Sequence, residues 1–250
     1  MKRILLAAAV AALLTTSACK TPQAEETPSD SLAVDTVNVL SEADLAEGWT
    51  LLFNGQDLSG WTGYRSDSLP AKWTIEDGAL AFDGDRPGSG GDLVTEKSYD
   101  DFEFSFEWKI SDCGNSGVIY RADVSDKYEA PWNTGPEYQV LDNTCHADAA
   151  EGPDRHAGAN YDMNGPSSDV TNPAGEWNTA VIKVDSAQVE HWLNGQMVVS
   201  YELWSDEWKQ NVADSKWAEY PDYGSQREGH ITLQDHGNRV WYRNIKIREL

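Results

Sequence analysis

Cations are scarce in this chain of 250 residues: 19 Lys and Arg stand against 42 Asp and Glu, a formal net charge of −23. Such an excess of acid repels phosphate backbones, which argues against nucleic acid as a partner. Histidine is limited to five, and cysteine to Cys19, Cys113 and Cys145. Long apolar runs are missing except near the start, where Ile4 to Leu14 is too short to span a bilayer stably. No internal repeat is present, which sets aside solenoids and other repeat architectures.

The first 18 residues, with Lys2 and Arg3, the apolar run and then Thr16, Ser17 and Ala18, read as a secretory signal peptide to be left out of the fold. The small residues before Cys19 resemble a bacterial lipoprotein cleavage site, although Thr16 stands where Leu is usual. Cys19 is therefore expected to carry lipid and to anchor an exported protein to the bacterial cell envelope, on the periplasmic side or the outer surface. Uncleaved anchoring or plain secretion is the plainer alternative. Residues 19–45 are rich in Pro, Thr and acid and read as a flexible tether; their Gln23-Ala24-Glu25-Glu26 resembles the surface-export signals of outer-membrane lipoproteins. Residues 46–250 suit one all-β domain.

Eleven Trp and ten Tyr against five Phe is an unusual balance. Trp and Tyr pair a flat apolar face with a hydrogen-bonding tip, which suits sugar rings as well as cores. With Cys19 assigned to lipid, Cys113 and Cys145 form an even pair in an exported chain and are expected to bridge. Alternation is strict in "DFEFSFEWKI", and further strands are expected at "WTIEDGALAF", "SGVIYRA", "EYQVLD", "WNTAVIKVD", "QVEHWLNGQMVVSYE", "HITLQDH" and "VWYRNIKIREL", with turns at Asp77-Gly78 and Asn194-Gly195. One short helical segment is expected within "LWSDEWKQNVADSKWAEY". Many strands, little helix and long loops predict a β-sandwich. The loop-rich stretch 125–172 holds Cys145, His146, Asp148, Arg155, His156 and Tyr161. Loops of that length inside a compact domain are commonly functional.

Polar residues on the strands supply the candidate site. In "EYQVLD", Tyr138 and Val140 facing a core would turn Glu137 and Gln139 to the opposite side, with Asp142 and His146 following at the strand's exit. In "GHITLQDHG", Ile231 and Leu233 alternate with His230, Thr232 and Gln234, and His236 stands at the exit before Gly237. The same alternation turns Asp235 away from the polar face. Arg121 is the candidate for holding an anionic oxygen, with a surface salt bridge as its plain alternative. His191 in "VEHWLNG" shares a face with Val189 and Leu193, so a hydrogen-bonded core histidine competes with a catalytic role; Trp192 offers an aromatic platform beside Glu190. Glu137, His146 and His236 also suit a divalent ion, although no His-x-x-x-His spacing accompanies them.

The segments "LLFNGQDLSGW", "GNSGVIYR", "TGPEYQVLDN", "PAGEWNTAVIKV", "VEHWLNG" and "GHITLQDHGNRVWYRNIKIREL", in this order, resemble the 3-keto-disaccharide hydrolase family over Trp49 to Leu250. The resemblance implies a concanavalin A-like lectin/glucanase sandwich with a concave, carbohydrate-binding sheet, and activity on glycosides oxidised to a ketone at C3. A C3 ketone acidifies the hydrogen on C2, so a base can remove it and expel the C1 substituent; water then adds back. Such chemistry needs a base, a group that holds the enolate oxygen and an acid for the leaving group. The expected catalytic residues are Glu137, His236 and His191, and the expected sugar-binding residues are Arg121, Gln139, Asp142, His146, Tyr161, Gln234 and Trp192. A non-catalytic carbohydrate-binding module is the first alternative. A conventional glycosidase is the second, but Ser105 lies between Glu103 and Glu107 where such enzymes place an Asp. The sequence establishes no cofactor and leaves a divalent metal open, and it does not decide oligomeric state.

Overall fold

A computed structural model of the chain describes residues 37–250; the expected signal peptide, Cys19 and most of the expected tether lie outside the described residues. Thirteen strands are present among those described: β1 (Thr50–Leu51), β2 (Trp61–Gly63), β3 (Trp73–Glu76), β4 (Ala79–Phe82), β5 (Leu93–Thr95), β6 (Phe102–Ile110), β7 (Asn115–Ala122), β8 (Glu137–Leu141), β9 (Asn178–Asp185), β10 (Gln188–Leu193), β11 (Gln196–Glu202), β12 (His230–Leu233) and β13 (Val240–Glu249). They form two antiparallel sheets. The larger runs β11-β10-β9-β6-β13-β4-β3 with β1 also on β13, and the smaller runs β2-β5-β12-β7-β8.

Period-two alternation builds the interface between the sheets. β6 buries Phe102, Phe104, Phe106 and Trp108 and leaves Glu103, Ser105, Glu107 and Lys109 half-buried on the outer face. The smaller sheet answers with Val118, Tyr120, Tyr138, Val140, Ile231 and Leu233, all in the same core. Phe106 meets Tyr138 edge-on with ring centroids 5.6 Å apart. The turns at Asp77-Gly78 and Asn194-Gly195 place both central residues at positive φ, as two-residue hairpins of this hand require. The molecule is therefore an all-β sandwich, as its alternation predicts.

Two features depart from expectation. The domain begins before residue 46: Asn38 and Asn244 exchange backbone-to-side-chain hydrogen bonds of 2.6 and 2.8 Å. Asn244 sits at positive φ in a bulge of β13, where the register against β6 shifts, and Asn38 satisfies the freed N–H. A one-turn helix, α1 (Glu42–Ala46), follows with Ser41 and Asp44 as a capping box, and Asp44 pairs with Lys246. The helical segment near residue 210 is also split. α2 (Asp206–Asp214), capped by Ser205, gives way to a 3₁₀ turn at Lys216–Glu219, capped by Ser215. Trp208, Tyr223 and Trp217 stack almost parallel behind that turn and fix where Lys216 and Trp217 project.

Candidate active site

The outward face of the smaller sheet is the floor of a cavity of about 370 Å³, lined among others by Asp92, Asn115, Glu137, Gln139, Gln234 and His236. The register explains the convergence. Leu93 pairs with Leu233, Leu233 with Val118 and Val118 with Tyr138, a row that faces the core. The next row, Asp92, Gln234, Gly117 and Gln139, faces the cavity, with Gly117 paired to Gln139 and the Gln234 N–H donating to the Gly117 carbonyl at 2.9 Å. Glu137 lies two residues from Gln139 on the same face, paired with Ile119, and its carboxyl leans over Gly117: a Cβ at position 117 would overlap Glu137 Oε1. A glycine is needed there to seat the acid.

Glu137 is 5 % exposed. Burial pushes its pKa up to about 8, opposed by Lys216 and reinforced by Asp92 and Asp148, and no hydrogen bond offsets the loss of water. Burial likewise raises Asp92 to about 7, although the Asp235 N–H donates to it. Around these acids, amide oxygens of Asn115, Gln139 and Gln234 are buried without a partner. The amide nitrogens are engaged in two of the three, Asn115 donating to Asp148 at 3.1 Å and Gln139 to the Arg155 carbonyl at 3.3 Å. A buried acceptor left unpaired costs about 1–3 kcal/mol. Hydroxyl groups of a polyol would satisfy all three.

The walls come from loops. Lys216 stands 4.1 Å above the Tyr161 ring and 3.3 Å from Asp162, bringing a cation to the rim of an acidic cavity. The Tyr161 hydroxyl donates to Asp148 at 3.4 Å. His236 is exposed at the mouth with its ring 6.2 Å from that of His146, and the loss of water on its inner side lowers its pKa despite nearby Asp148. Cys113 and Cys145 are joined, with Cα atoms 4.9 Å apart. This bridge ties the turn that feeds Asn115 to the loop that carries Asp148.

The structure does not bring every expected residue to this cavity. Arg121 faces away from it: at φ +51 it lies in a bulge where the pairing of β12 with β7 slips, and it donates to the carbonyls of Asp100 and Ser186 and to Asp101. His191 is fully buried between the sheets. Its Nδ1 donates to the Gly158 carbonyl at 3.0 Å and its Nε2 accepts from the Tyr120 hydroxyl at 2.9 Å, and desolvation lowers its pKa to about 4. It is a neutral core histidine, not a catalytic one. Trp192 lies on the larger sheet, its indole N–H held by Glu190. Asp142 is buried beneath the disulfide turn, accepting from the Cys113 N–H at 2.8 Å and from Thr144. His146 stands behind the mouth, accepting from the Asp148 N–H. His230 turns to Thr95. Asp235 does line the cavity, because β12 ends at Leu233 and alternation stops with it. Glu103 and Glu107 are on the larger sheet, paired with Arg248 and Arg243.

Asp92, Asn115, Lys216, Trp132 and Tyr220 were not legible as site residues. Asp92 precedes its strand by one residue, and the parity of Leu93 and Val94 was the one signal that could have placed it. Glu137, His146 and His236 do not bring their ligand atoms within 4.8 Å of one another in this structure. Among the described residues, the one group with three ligand-type atoms within 4.8 Å of one another is Cys113, Asp142 and Cys145, whose sulfurs are already bonded to each other.

Two antiparallel sheets packed as a sandwich define a galectin-like fold. A Bacillus subtilis protein of unknown function with a galectin-like fold shares it at a TM-score of 0.50 and 11 % identity, covering 85 % of this chain and 93 % of its own. Residues 48–248 match the family described as the 3-keto-alpha-glucoside-1,2-lyase-like domain, and the chain belongs to that family. It is 37 % identical over 259 residues to a 3-keto-disaccharide hydrolase of Bacteroides thetaiotaomicron, covering 90 % of this chain and 89 % of that one. A crystal structure from Parabacteroides distasonis, provisionally assigned as a glycosyl hydrolase, superposes at a TM-score of 0.79 with 39 % identity, covering 86 % of this chain and 99 % of the other.

Proposed function

We propose that the protein is an exported carbohydrate-active hydrolase that cleaves 3-keto-glycosides by removing the C2 proton and expelling the C1 substituent, with water adding back to the product. The base is drawn from Glu137 and His236, and Glu137 is the better placed. The observation that carries this reading is the Glu137 carboxyl, buried and free of hydrogen bonds over Gly117, between two glutamines whose amide oxygens await donors. Once ionised, a desolvated carboxylate is a stronger base than one in water. Gln139, Gln234 and Asn115 orient the sugar, and Lys216 supplies the positive potential for the developing enolate that Arg121 cannot. The N-terminal signal and Cys19 support export and lipid anchoring.

A positioned general base contributes about 10²–10⁴-fold. Glu137→Gln is expected to lose activity on a 3-keto-glucoside by that factor while folding normally, and His236→Asn to lose far less. Wild-type rates in both variants would overturn this assignment of the base, and a wild-type protein that binds the 3-keto-glucoside without releasing its aglycone would be a non-catalytic carbohydrate-binding module.

A further inference from the structure

Elimination leaves a negative oxygen on the departing group, and the residue that protonates it is a separate question from the residue that takes the C2 proton. Several cavity groups could hold a proton for it, and three are less suited by their place or partners. His236 stands exposed at the mouth, away from the row that floors the cavity. The Tyr161 hydroxyl is committed to Asp148, and burial raises its pKa far above the ordinary range. Lys216 is paired with Asp162.

Asp92 is the cavity carboxyl whose placement suits the task. It shares the cavity-facing row with Gln234, Gly117 and Gln139, so two strand spacings of about 4.8 Å separate it from the position over which the Glu137 carboxyl lies. That leaves floor for a sugar ring with a carboxyl at each side. The Asp235 N–H holds Asp92 Oδ1 at 2.7 Å and fixes the group, while Oδ2 has no partner among the described residues. The Asp235 carboxylate is itself turned to the N–H groups of Gly91 and Gly237, so it does not compete for the same ligand.

On the 3-keto-glycoside reading above, we propose that Asp92 is the general acid that protonates the departing glycosidic oxygen. Glu137 takes the C2 proton and the electron pair of that bond forms the enolate. Collapse of the enolate restores the C3 ketone, forms the C1–C2 double bond and breaks the C1–O bond, whose electron pair takes the Asp92 proton. An alcohol, a 1,2-unsaturated 3-keto sugar and the Asp92 carboxylate result. In the hydration step the carboxylate accepts a proton from the water that attacks C1, and Glu137 returns a proton to C2.

The test compares two 3-keto-glucosides, one with a nitrophenol and one with a second sugar as the leaving group. Nitrophenolate departs without protonation, whereas a sugar alkoxide does not. Asp92→Asn and Asp92→Ser are compared, so that poor folding of one, read from thermal melts, leaves the other. The sugar-leaving substrate is expected to slow by about 10²–10⁴-fold, and the nitrophenyl substrate to stay within about tenfold of wild type. C2 deuterium exchange should persist in these variants and vanish in Glu137→Gln. Equal losses on both substrates, or an unchanged rate on the sugar-leaving one, overturn the assignment. A wild-type protein that releases neither leaving group overturns the 3-keto-glycoside reading, and the assignment with it.

Discussion

Glu137 stores the tension between folding and chemistry in a single side chain. Its ordinary pKa of 4.5 is raised to about 8 by burial. Between those values the folded protein keeps a proton that the unfolded chain has released, so stability falls as pH rises through that window. Glu137→Gln removes this loss. Its melting temperature is expected to exceed that of wild type at pH 9, by about 2–4 °C for each kcal/mol relieved, and to match it near pH 4. Activity in wild type on the nitrophenyl 3-keto-glucoside, whose leaving group needs no acid, should run the other way, with kcat/KM rising through an apparent pKa near 8 as the base loses its proton. A melting difference independent of pH would contradict the burial argument. Gly117 is the partner to this residue. Gly117→Ala is expected to displace the Glu137 carboxyl and to cost activity out of proportion to stability, read as kcat/KM beside a thermal melt. Equal kcat/KM in the two proteins would refute that seating.

At the level of elements, alternation made β8 and β12 legible, and irregularity hid the rest. Glu137, Gln139 and Gln234 follow from Tyr138, Val140, Ile231 and Leu233 facing the core, because strand parity admits one alternative only. Arg121 was misplaced because a bulge, invisible in "GVIYR", sets two residues of β7 against one of β12 and turns the guanidinium to Asp100, Asp101 and Ser186. Lys216 was unreadable because its position depends on an aromatic stack assembled from residues 208, 217 and 223. The Cys113–Cys145 bridge joins two such irregular segments across 32 residues, which in the chain-entropy argument stabilises by about 3–4 kcal/mol. Both cysteines are exposed and open to reductant. Reduction is expected to lower the melting temperature by on the order of 10 °C and to raise KM, because Asn115 and Asp148 sit on the tied segments. An unchanged melt and KM would show that the loops hold without it.

Over the whole molecule, the sandwich was written in the alternation of β6 and in the two hairpin turns, and the family in six ordered motifs that span the domain. The start of the domain was not, since the role of Asn38 appears only when the bulge at Asn244 leaves a backbone N–H to satisfy. Net charge bears on function at this scale too: a chain at −23 concentrates Asp92, Glu137, Asp148 and Asp235 in one cavity with Lys216 at its rim, which suits a neutral polyol better than an anionic ligand. The central claim is that this cavity acts on sugars already oxidised at C3. The most direct measurement incubates the protein in D₂O with a glucoside and with its 3-keto counterpart, following released aglycone and deuterium at C2. The account predicts release and C2 deuteration from the keto substrate alone; cleavage of the unoxidised glucoside at a comparable rate, or release without deuterium at C2, would contradict it.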